Sequence, residues 1–196
     1  MKLWHQIVEL ETRNLVDEVR DGRLRIAGRA GGPAWDTDRR AALFADLERG
    51  WPAWPMLAWN PSGQARQPSY LLDGHRLVAT LMANLTDEAG LVRDLTTTEP
   101  TYRPADHIAP DGMYWPVNAL VWTMPFLRRQ RAVRHAMPAA LVDRAEQVAQ
   151  HLVTAQFRIL TLFGGDPATV AAISERLLPG RVTPATLAQI SAEPAQ

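Results

Sequence analysis

Asp73-Gly74-His75-Arg76 stands at a change of hydrophobic period. Before it, Ser69-Tyr70-Leu71-Leu72 reads as a short strand. After it, Leu77, Leu81 and Met82 share one helical face, with Val78 flanking. A strand, a tight Asp-Gly turn and a helix N-terminus together suit an anion. The first turn of a helix presents free backbone N–H groups and a partial positive charge, which attract phosphate. Gly74 permits close backbone approach or a positive φ. His75 and Arg76 add donors where a cation opposes the helix dipole, a placement easier to understand if an anion lies nearby. Asp73 could hold a metal-bound phosphate or position a water. The same spacing is equally that of an ordinary Asp-Gly turn followed by an exposed Arg.

A second constellation is basic. Arg128, Arg131 and Arg134, with Arg129 and His135, recur at helical spacing and could contact nucleic-acid phosphates. They could also form a solvated helix face. The five histidines show no i, i+4 pair, so no metal site is expected. There is no Gly-x-Ser-x-Gly elbow and no P-loop, which removes the commonest serine-nucleophile and NTPase signatures.

The elements that must position these groups emerge from the same pattern. Thr12 is a candidate N-cap for a helix over 12–20, and residues 23–27 alternate as a short strand. Residues 28–33 form a Gly-rich loop. Asp36 and Thr37 can cap a helix over 38–48, which Arg49-Gly50-Trp51-Pro52 ends. Residues 55–59 read as a strand, 60–63 as a turn and 69–72 as a return strand. Residues 86–116 read as a long surface connection with one strand near 90–92. A helix is predicted over 117–134, another from Pro138 to about Leu152, and a strand over 156–162. Asp166-Pro167 and Thr183-Pro184 each open a further helix. Trp35, Trp51, Trp54 and Trp59 lie close in sequence and predict a region packed around indoles.

The chain has 196 residues, 21 basic and 21 acidic groups and no Cys. This length suits one domain, here expected over 1–191 with a short flexible tail at 192–196. Without cysteine, disulfide scaffolds, zinc ribbons and thiol catalysis are excluded. Zero net charge argues against coating nucleic acid by bulk charge. No apolar run nears the ~20 residues of a membrane span. The polar start does not suit a signal-peptide core, so a cytoplasmic protein with no membrane partner is expected. Only Lys2 is a lysine; the other basic residues are Arg, which a GC-rich genome or phosphate recognition by guanidinium forks would each explain.

Several fragments together resemble the N-terminal domain of GmrSD-type modification-dependent restriction enzymes, within the ParB/sulfiredoxin-like superfamily. They are Gly22, Arg25-Ile26, Trp35-Asp36, Arg49-Gly50-Trp51-Pro52, Met56-Leu57-Ala58-Trp59 and the run Asp73 to Leu81. Later come Phe157 to Leu162, Val170 to Leu178, and Gly180 with Thr183-Pro184. The resemblance spans about residues 12–190. It implies an α+β ParB-like domain with a small sheet and a mainly helical second half. It also implies binding and hydrolysis of an NTP with Mg, often coupled to an HNH nuclease that cuts modified phage DNA. The family's Gln-Arg pair falls on Ala30-Gly31, leaving Arg29 as a displaced substitute. Its Asp-Gly-Gln-Gln-Arg turn becomes Asp73-Gly74-His75-Arg76-Leu77, and the Asn of its late motif becomes Leu178. Gly74-His75-Arg76 is similar to the phosphate-binding turn of wider ParB and sulfiredoxin relatives.

The leading expectation is therefore a sensor or regulatory domain that binds a nucleotide or other phosphate at Asp73, Gly74, His75, Arg76 and Arg29, in a phage-defence or DNA-associated setting. Asp73 is the best catalytic candidate should a weak NTPase survive. Within the 196 residues no HNH nuclease is recognised, so a separate nuclease subunit or DNA is the expected partner. The rival is a non-catalytic relative that binds DNA through Arg128, Arg131 and Arg134, or binds a partner protein.

Overall fold

A computed structural model describes residues 2–26, 35–51, 55–86, 90–105, 113–122 and 138–192. The fold is α+β. Its main sheet has five strands: β1 (Trp4–Glu11), β2 (Leu24–Ile26), β3 (Met56–Asn60), β4 (Ser69–Asp73) and β8 (Gln156–Phe163). Their spatial order is β1-β8-β3-β4-β2. β1 is antiparallel to β8, β8 parallel to β3, β3 antiparallel to β4, and β4 parallel to β2. A second, three-stranded antiparallel sheet sets β5 (Leu91–Asp94) between β6 (Tyr102–Pro104) and β7 (Tyr114–Pro116).

All five residues of β3 are buried, which is the pattern of a strand covered on both faces. Alternation sends Met56 and Ala58 to one side, Leu57 and Trp59 to the other. On the first side lie α1 (Thr12–Arg20), α2 (Thr37–Glu48), α3 (His75–Thr86), α4 (Val117–Trp122) and α5 (Ala139–Thr154). On the second lie α6 (Pro167–Leu177) and α7 (Pro184–Ala192). The central strands thus carry two hydrophobic clusters.

Several expectations need correction. Thr12 is not the cap of α1, because Glu11 holds that position; the Thr12 hydroxyl instead donates to the Leu152 carbonyl at 2.5 Å, tying α1 to α5. Residues 86–116 are not one surface connection, since Leu91 through Leu95 are buried as the middle of the second sheet. The indoles do not form one packed region. Trp59 is 1% exposed and donates from Nε1 to the Gly164 carbonyl at 2.8 Å, whereas Trp51 is 60% exposed. Trp35 packs against the opposite cluster, and Trp54 lies outside the described residues. The predicted helix over 117–134 is described only as α4, and α7 extends to Ala192, the first residue of the expected tail.

The two Asp caps hold. Asp36 accepts from the Arg39 amide, and Asp166 from the Thr169 amide, each at 2.9 Å. The hydrogen bond from the Thr169 amide, then that from its hydroxyl, holds the Asp166 carboxyl below its ordinary 3.8. A depressed folded pKa means that this cap stabilises α6 above the unfolded value and is lost as pH falls through the lower folded one. Urea titrations of Asp166→Asn should therefore match the parent at pH 6 to within the small difference between two good caps. As pH falls below the ordinary 3.8 the parent should lose the Asp166 contribution, while the Asn variant has none to lose there.

The second sheet is fastened to the first core by a buried polar triad. Arg93 grips Glu48 bidentately, Nε to Oε2 and Nη2 to Oε1, both at 2.8 Å. The Tyr102 hydroxyl donates to Glu48 Oε2 at 2.6 Å. Arg93 Nη1 donates onward to the Asp94 carbonyl, and to the Thr97 hydroxyl at 3.1 Å. Burial, and next the Glu48 charge, push the Tyr102 phenol well above its ordinary 10.0, so it keeps its proton and remains a donor. Glu48 is the last residue of α2, where a carboxylate opposes the helix dipole; the guanidinium opposite explains its presence.

Candidate functional site

The turn Asp73-Gly74-His75-Arg76 is built as its pattern predicts: β4 ends at Asp73 and α3 begins at His75. Just before it, β4 carries one extra residue. Leu57 faces Asp73 and Ala58 faces Leu71, so Leu72 bulges between them. A bulge bends the strand and re-aims the residues after it. Gly74 then takes φ +92°, and the space of its missing side chain is filled by Met56: an added Cβ would overlap Met56 Cγ and lie 2.9 Å from its Sδ. The glycine is thus required by backbone shape and by the packed Met56 beneath it.

Gly74 supplies the carbonyl that accepts the Val78 amide at 3.0 Å, the first bond of α3. Among the described residues no side chain caps the amides that precede it. His75 is half-buried, and Arg76 is exposed, with no hydrogen bond or ion pair to another described residue. Asp73 is engaged. Its carboxylate receives Arg181 Nη1 at 3.2 and 3.3 Å, while its own side chain is 17% exposed. Arg181 belongs to the connection between α6 and α7. Val182, buried in the second cluster, anchors that connection, and the Arg181 amide bonds the Leu178 carbonyl at 3.2 Å.

Electrostatically, Arg181 cancels the one carboxylate at the turn. What remains is Arg76 and the positive end of a 12-residue helix. That balance favours an anion. Among the described residues no group of three or more His, Asp or Glu side chains is gathered to hold a metal ion. A magnesium ion arriving with a polyphosphate needs no more than one or two protein carboxylates.

Of the other sequence-predicted residues, Arg29 lies outside the described residues, as do Arg128, Arg131 and Arg134. The described chain on either side of Arg29 is nevertheless placed. β2 runs parallel to β4, so Ile26, beside Leu71, sits at the sheet end where Asp73 lies. The chain resumes at Trp35, whose amide donates to Thr80 Oγ1 on α3 at 3.1 Å and whose ring carries Arg39 at 4.6 Å. Arg181 was missed by sequence reasoning. Its signal was local, a basic residue after Gly180 in the late Gly-rich turn, but 108 residues separate it from Asp73.

No protein-family model matches the chain, and a search of curated proteins finds no match to it.

Proposed function

We propose that this protein binds a nucleotide or related phosphate at the start of α3, through Arg76, the His75 side chain and the free amides of the first turn. The supporting observation is the pairing of Asp73 with Arg181 beside an exposed Arg76 that no other described residue engages. Among the described residues this leaves a locally positive helix N-terminus with no side-chain cap, in a chain whose overall charge is zero. Arg181 swings between two acceptors, the Asp73 carboxylate and an incoming phosphate. Asp73, once released, is free to meet the ligand's magnesium. The resemblance to the GmrSD N-terminal domain points to an NTP with Mg as the ligand, to a regulatory role in a phage-defence or DNA-associated system, and to a separate nuclease subunit or DNA as partner.

The test is titration with labelled ATP, GTP, CTP and UTP, with and without magnesium. Saturable binding is expected, weakened about tenfold or more by Arg76→Ala and by Arg181→Ala, since a charge-assisted hydrogen bond contributes about 1.5–3 kcal/mol. No saturable binding, or binding indifferent to both changes, overturns the proposal. Phosphate release above background that disappears in Asp73→Asn would extend it to a working NTPase. If nucleotides fail and duplex DNA binds in a salt-dependent way that Arg128, Arg131 and Arg134 control, the DNA-binding reading replaces it.

A further inference from the structure

β1 is an edge strand of eight residues, and among the described residues nothing pairs with its outer side. Natural edges are commonly blunted by charged side chains, above all Lys, by Pro, by a bulge or by short length. β1 has no Lys and no Pro, its charges are Glu9, paired with Arg158, and Glu11 at its end, and its register with β8 runs unbroken from Trp4↔Phe163 to Glu11↔Gln156. It also carries exposed apolar side chains, Ile7 at 58% and Trp4 at 42%. Open backbone groups beside exposed apolar residues form a template for a further strand.

The sequence of the strand selects the occupant. A perpendicular two-fold axis between antiparallel copies preserves each side chain's face, so some residue must oppose itself. With Ile7 on the axis, Ile7 meets Ile7 of the second copy once, while Trp4 meets Leu10, His5 meets Glu9 and Gln6 meets Val8 twice each. Centring on Gln6 opposes Ile7 to His5, and centring on Val8 opposes Ile7 to Glu9, so each sets the most exposed apolar side chain of the strand against a polar one. Glu9 is already paired within its own copy with Arg158, whose Nη2 lies 2.5 Å from its carboxylate, so its charge is not left unpaired when the two copies meet. We propose that β1 pairs antiparallel with β1 of a second copy about Ile7, joining two five-stranded sheets into one of ten.

Sedimentation equilibrium on the full chain over a wide concentration range should show a monomer–dimer equilibrium. Ile7→Lys should weaken it about tenfold or more, because two ammonium groups then meet on the axis. Gln6→Val should strengthen it, because residue 6 faces Val8 of the second copy and two apolar pairs then form, an outcome that mere damage to β1 cannot produce. Amides of residues 4–11 should gain hydrogen-exchange protection as concentration rises. A wild-type monomer at every concentration overturns the proposal, whether the edge is then free or taken by another protein. So does a dimer that both substitutions leave unchanged.

Discussion

Glu48→Ala should lower the stability of the protein by about 3–5 kcal/mol, the largest effect expected of any single charge removal here. The reason is what stays behind. Arg93 is fully buried at 0% exposure, and Glu48 supplies both of its carboxylate contacts. Without that carboxylate the guanidinium keeps only carbonyl and hydroxyl oxygens from Asp94 and Thr97. It must then stay charged in a poorly solvating site or drag the second sheet open toward water. Tyr102→Phe removes one hydrogen bond and leaves the ion pair intact, so about 1–3 kcal/mol is expected. Replacing Glu48 and Arg93 together by apolar residues of similar volume should recover much of the single-variant loss. Urea unfolding of the four proteins checks this. A Glu48→Ala loss below about 1 kcal/mol would falsify the role assigned to the triad.

Gly74→Ala should cost about 2–5 kcal/mol, for two separable reasons. A φ of +92° disfavours any L side chain, by about 1–2 kcal/mol for a left-handed conformation. The new methyl also overlaps Met56 Cγ and meets its Cβ at 3.1 Å, and Met56 is itself 2% exposed, so overpacking adds about 1–3 kcal/mol. A double-mutant cycle separates the two. Met56→Ala alone should destabilise by about 2–5 kcal/mol through its cavity. In the Gly74→Ala background its cost should shrink, because the methyl then has room. Additive losses would show that backbone conformation alone demands the glycine. If phosphate binds at this turn, Gly74→Ala should also weaken it, since α3 can no longer start at the same place.

The local elements were legible because their signals are local. Asp36 and Asp166 cap the helices that their positions predict, and the turn from β4 to α3 falls where the hydrophobic period changes from two to 3.6. What sequence reasoning missed was set by distant partners. β1 carries polar His5, Gln6 and Glu9 among its apolar residues and becomes a strand because β8 offers it an edge. Residues 91–95 hide Arg93 and Asp94, which read as surface until Glu48 and Tyr102 arrive from other elements. Arg181 is the same case at the candidate site. Its meaning depends on Asp73, and nothing in the spacing of a Gly-Arg pair shows that a carboxylate waits across the fold. Arg29, Arg128, Arg131 and Arg134 remain matters of sequence.

The pairing of β1 with β8 also sets the order in which this chain can be finished. Glu9 and its partner Arg158 are 149 residues apart in the chain, and Thr12 reaches Leu152 across 140. During synthesis from the N-terminus, at about 5–20 residues per second, β1 waits roughly 7–30 s for its partner to be made. Through that interval Trp4, Ile7, Val8 and Leu10 have no sheet to join. β3 and β4 can meet early, but β8 inserts between β3 and β1, so the central sheet closes late and from its middle. A nascent chain of this protein therefore keeps β1 exposed for the time that those intervening residues take to be made, and chaperone protection would matter most there.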